Sequence, residues 1–137
     1  MNRRRLFASA IAGTGLLAIS AATMAFAPAA APAPVDFDRA AFERAQAADR
    51  RILIDVYAPW CPTCRAQEPI IDRIAAARGN EDLIIFRVDF DSQKSEVRRF
   101  GAQRQSTLIA YRGARETGRS VADTDAGRIA ALVASTR

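Results

Sequence analysis

The chain's two cysteines, Cys61 and Cys64, stand where a buried strand gives way to a helix, and no other feature restricts the fold as much. Upstream, Arg51-Ile-Leu-Ile-Asp-Val-Tyr-Ala58 is the kind of β-branched and aromatic run that forms a strand covered on both faces. Downstream, Ile71, Ile74 and Ala75 recur at the spacing of an amphipathic helix, which Gly79-Asn80 stops. The stretch Asp55-Val56-Tyr57-Ala58-Pro59-Trp60-Cys61-Pro62-Thr63-Cys64-Arg65 therefore places Cys61 at a helix N-terminus. There, unpaired backbone N–H groups and the positive end of the helix dipole favour a thiolate over a thiol of pKa about 8.5. Cys64 lies one turn further on, within reach of a mixed disulfide formed at Cys61.

Rival uses of the pair fall short. A zinc site takes four ligands, and a chain with no His and two Cys supplies two. Covalent haem attachment needs His directly after the second cysteine, where Arg65 stands. An inert disulfide closing so short a loop gains little stability from chain entropy. Thiol–disulfide exchange is what remains. Asp55, a carboxylate inside an apolar strand, is costly to ionise without a partner, and its pKa is expected to rise into a range useful for proton transfer. The alternative for Asp55 is a surface position at the strand end.

Over residues 36 to 136 the chain resembles the thioredoxin family. Asp55 stands at the family's buried-acid position, Trp60-Cys61-Pro62-Thr63-Cys64 at its WCxxC and Pro69 at its mid-helix kink. The resemblance implies an α/β, thioredoxin-like fold: a mixed central sheet of four to five strands flanked by helices on both faces. It implies catalysis by Cys61 and Cys64, with Asp55 moving a proton to and from Cys64. Trp60, Pro62, Thr63, Gln105, Ser106 and Thr107 would bind the substrate. No metal and no bound cofactor are expected, since the Cys61–Cys64 couple is itself the redox group. Protein thiols and disulfides are the expected partners, with an electron donor in the membrane as a further candidate. Cys61 should titrate nearer to about 7 than do the thiols of dedicated oxidants, because no His or Lys lies between the cysteines.

Two departures from the family pattern stand out. Ser106 occupies the place of the usual cis-proline, and a cis bond before another residue costs about 2.5–4 kcal/mol, so Gln105–Ser106 is expected to be trans. Ala122 stands where a glycine commonly lines the docking surface. With serine at 106, an alternative function is a soft-metal module binding or delivering Cu(I) through the same dithiol, which anaerobic Cu(I) titration of the reduced protein would reveal.

The remaining sequence reads as one domain. Residues 1–27 carry Arg3-Arg4-Arg5 before an Ala-, Gly-, Ser- and Thr-rich apolar stretch and read as an export signal of twin-arginine type, which in a bacterium means the periplasm. An uncleaved signal would be a membrane anchor. Residues 28–35 read as an Ala/Pro linker and 36–137 as the folded domain. A helix is expected from Asp36 or Asp38 as cap, burying Phe37, Ala41, Ala45 and Ala48. A strand over Leu83–Phe90 follows, then a helix capped by Ser92. The chain closes with a hairpin turning at Arg112-Gly113-Ala114 and a helix carrying Ile129, Leu132 and Val133. The net charge of +5 owes three charges to Arg3, Arg4 and Arg5. The rest is nearly balanced with signs interspersed, so nucleic acid is not an expected partner, and a monomer is.

Overall fold

The computed structural model describes residues 30–137, which run through β1 (Val35–Asp36), α1 (Arg39–Ala47), β2 (Arg51–Tyr57), α2 (Pro62–Ala75), β3 (Ile84–Asp89), α3 (Lys94–Arg99), β4 (Thr107–Arg112), β5 (Arg115–Val121) and α4 (Ala126–Ala134). The expected export signal and the first two residues of the expected linker lie outside the described residues. No described helix is long and apolar enough to cross a membrane. The strands form one mixed sheet in the order β1-β3-β2-β4-β5, with β1, β3 and β2 parallel and β4 and β5 antiparallel to their neighbours.

Alternation along the central strand β2 sorts two cores. Ile52, Ile54 and Val56 face one side, where Phe42 and Ala45 of α1 and Val97 of α3 cover them together with Phe37 and Phe100. Phe37 and Phe100 meet edge to face with ring centroids 5.4 Å apart. Leu53 faces the other side, packed by Ile71 and Ala75 of α2 and Ile129 and Val133 of α4. Each such fully buried aliphatic side chain contributes about 1.5–3 kcal/mol. Period two then carries Asp55 to the side of Leu53, under the helix that begins at the cysteines.

Several local expectations are corrected. Val35, read as linker, and Asp36, read as a candidate cap, form a short edge strand against Phe86 and Arg87. Asp38 caps α1 by accepting from the Ala41 N–H at 2.7 Å. The buried face of α1 holds Phe42 and Ala45, whereas Ala48 is exposed at the helix end, where the helical period no longer turns it inward. Ser92 does not cap α3, since its hydroxyl donates to Asp89 Oδ1 at 2.8 Å. The hairpin turns where expected, at Gly113, whose φ of +55° suits glycine and where a Cβ would sit 2.7 Å from Asp49 Oδ1.

Candidate active site

Cys61 is the N-cap of α2, in extended backbone conformation, and its sulfur accepts the Cys64 N–H at 3.2 Å. Pro62 follows at the first helical position, where its missing N–H costs nothing. Pro69 lies inside the same helix and has no N–H to donate to the Arg65 carbonyl. Both cysteines are free thiols, 2 % and 1 % exposed, in a small apolar cluster with Ala58, Tyr57 and Phe90. One polar side chain enters that cluster from outside the motif: Ser106 Oγ lies 3.0 Å from Cys61 Sγ and 3.2 Å from Cys64 Sγ.

Ser106 is held firmly. All peptide bonds of the described residues are trans, Gln105–Ser106 included, and Ser106 instead adopts φ +62°. Its N–H donates to Val56 O at 2.8 Å, and its carbonyl accepts from Ala122 N at 2.9 Å and Gln67 Nε2 at 3.4 Å. Ala122 is itself at φ +54°. An L-residue in this region costs about 1–2 kcal/mol, so two strained residues bonded to each other lie beside the dithiol, where the surrounding sheet over-determines them.

The two thiols are displaced in opposite directions. Burial pushes the Cys61 thiol up, but hydrogen bonds from Cys64, the Ser106 hydroxyl and the Cys64 and Thr63 N–H groups outweigh it and hold Cys61 below the ordinary range. Burial pushes Cys64 up, and its hydrogen bond with Cys61 adds to the rise. The arrangement favours one negative charge, on Cys61.

Asp55 is buried at 2 %, which rules out a surface position. Burial raises its pKa against the opposing pull of Arg87, whose Nε donates to Asp55 Oδ2 at 3.1 Å. Arg87 also reaches Glu68 Oε1 on α2 at 3.2 Å, and its guanidinium lies 4.0 Å over the Tyr57 ring. Arg87 escaped sequence reasoning. The available signal was a lone cation in an apolar strand paired in parallel with the strand of Asp55, and the register places Asp55 opposite Arg87. The Asp55 carboxylate thus bonds to a guanidinium rather than to a sulfur.

Around the dithiol, Trp60 is 54 % exposed, with its indole N–H donating to Asp91 Oδ2 at 2.7 Å. Pro62 is exposed, and Thr63 and Gln105 are half-buried. Ser106 and Thr107 are both buried at 1 %. Thr107 is spent within the fold, its main chain in the ladder between β2 and β5 and its hydroxyl on Arg104 O at 2.8 Å. Among the described residues no group of three or more His, Cys, Asp and Glu is placed to hold a metal ion.

A family model described as Thioredoxin matches residues 33–135. A thioredoxin of Echinococcus granulosus is 30% identical over 90 residues, covering 66% of this chain and 82% of that protein. A thioredoxin of Alicyclobacillus acidocaldarius is 29% identical over 74 residues, 54% of this chain and 70% of that one. Among solved structures, Trxlp from Edwardsiella tarda superposes with TM-score 0.71 at 38% identity, over 74% of this chain and 98% of that chain. Since the matched region runs from before β1 to just past α4 and takes in the cysteine pair, the chain belongs to the thioredoxin family and is a thiol–disulfide oxidoreductase.

Proposed function

We propose that the protein is an exported reductase of protein disulfides, acting as a monomer without a bound cofactor, with Cys61 as attacking and Cys64 as resolving sulfur. The observation that carries this reading is the placement of two buried free thiols at one helix start, with Cys61 as the N-cap whose sulfur accepts the Cys64 N–H at 3.2 Å and Cys64 one turn in. Cys61 thiolate attacks a substrate disulfide, forming a Cys61–substrate bond and releasing the other substrate sulfur as a thiolate that takes a proton from water. Cys64 then loses its proton, with Asp55 as acceptor, and its thiolate attacks Cys61 Sγ. The Cys61–substrate bond breaks, its electron pair leaves with the substrate sulfur, and the Cys61–Cys64 disulfide remains. Two electrons have passed to the substrate, to be restored by a partner dithiol for which a membrane donor is proposed.

The direction rests on what stabilises the thiolate. Strong oxidants owe their potential to a reduced form that is stabilised well beyond the ordinary. Here the donors to Cys61 are a thiol, a hydroxyl and backbone N–H groups, none of them cationic. Export rests on the sequence of residues 1–27 alone, and periplasmic fractionation with N-terminal sequencing of the mature chain tests it.

Replacing Cys64 with Ser tests the mechanism. The Cys64→Ser variant of the full chain should retain alkylation at Cys61 and accumulate mixed disulfides with protein partners, visible as bands that collapse on reduction. A variant that stays reactive at Cys61 and traps nothing would contradict the two-step exchange.

A further inference from the structure

One hydroxyl stands between the two sulfurs. Ser106 Oγ is within hydrogen-bond distance of both, at 3.0 Å from Cys61 and 3.2 Å from Cys64, and it carries a single proton to donate. It therefore serves one anion at a time. Its backbone is tied to Val56, Ala122 and Gln67, so the oxygen stays in place while the O–H bond turns between two acceptors. The positive φ of Ser106 is what lets a residue entering β4 aim its side chain back at the helix N-cap.

We propose that Ser106 is a further catalytic residue whose hydroxyl follows the negative charge, donating to the Cys61 thiolate in the reduced protein and turning to the Cys64 thiolate once Cys61 is held in a mixed disulfide. This rests on the exchange mechanism of the preceding section and adds the group that serves both of its steps. In the first state Oγ–H donates to the Cys61 thiolate. When Cys61 Sγ bonds to the substrate sulfur it is no longer an anion, and the same proton is free for Cys64. The proton of Cys64 leaves by way of Asp55, Ser106 keeps its own, and no further reagent is consumed. Two cations that could rival it as donors are spent on other acceptors, Arg65 on Pro59 O and Arg87 on Asp55 and Glu68. That leaves the hydroxyl as the side-chain donor from outside the motif that both sulfurs share.

Two variants of the full chain test this. Ser106→Ala removes the hydroxyl and keeps the Cβ, and Ser106→Gly removes it while suiting the backbone, so a folding defect in the first does not decide the matter. The pH midpoint of Cys61 alkylation by iodoacetamide should rise by about one unit in both, a roughly tenfold loss of thiolate at pH values below the midpoint. Release of nitrothiobenzoate from a mixed disulfide preformed on Cys61 should slow about tenfold, because Cys64 loses its donor. An unchanged midpoint in both variants overturns the first half of the proposal, and a shifted midpoint with unchanged release overturns the second. If the unsubstituted protein releases no nitrothiobenzoate, the exchange mechanism fails and takes the second half with it, while the alkylation midpoint still decides the first.

Discussion

At Asp55 two opposing effects meet on one carboxyl. Burial disfavours the charge, and Arg87 at 3.1 Å favours it, with burial the larger, so the folded-state pKa lies above the ordinary value of 3.8. Between those two values the native protein binds more protons than the unfolded chain, and stability therefore falls as pH rises from 3.8 through the folded-state pKa. Above it the ionised carboxylate is a standing cost to the fold. Asp55→Asn, which still accepts from Arg87, should raise the urea midpoint at neutral pH and flatten the acid-to-neutral slope, while slowing resolution of the mixed disulfide. Urea titrations across that pH range check it. An Asn variant less stable than the parent at neutral pH would mean that the pair with Arg87 outweighs burial.

At the scale of the elements, what could be read in the sequence was whatever has a period or a capping group. The apolar run of β2, the pattern Ile71, Ile74, Ala75 and the breaks at Gly79 and Gly113 located the central strand, the active-site helix and the hairpin. A two-residue strand has no period, which is why β1 passed for linker. The start of α3 misled for a different reason. Ser92 is a good capping residue by type, but Asp89 Oδ1 takes the N–H groups of Asp91 and Ser92 at 2.9 and 2.7 Å together with the Ser92 hydroxyl. Asp89→Ala should therefore cost about 1–2 kcal/mol, as loss of a cap does, and Ser92→Ala distinctly less. Denaturant unfolding of both variants measures the order, and the reverse order would restore Ser92 as the cap. The site was legible in its cysteines and in the buried acid. The partner of that acid was not, because Arg87 meets Asp55 only through strand register, and neither was the inward turn of Ser106, because a positive φ at serine leaves no mark in composition.

Across the whole molecule, β2 is anchored at one end and reactive at the other. At its start Arg51, 4 % exposed, donates to Thr136 Oγ1, Gly79 O, Asn80 Oδ1 and Asp82 Oδ1 at 2.7–2.9 Å, tying the C-terminal segment to the loop after α2. Beyond its end Cys61 opens α2, and β4, its neighbour in the sheet, brings in Ser106. The dithiol is thus mounted on a sheet packed on both faces, so it can close and reopen without the elements around it rearranging. That predicts a reversible two-electron couple whose potential reflects a thiolate stabilised by uncharged donors. The equilibrium potential of Cys61–Cys64, measured in graded dithiol buffers with alkylation and mass as readout, tests this most directly. A reductase of this kind has a value of about −270 mV, whereas a value of about −120 mV, or no reversible couple at all, would contradict that assignment.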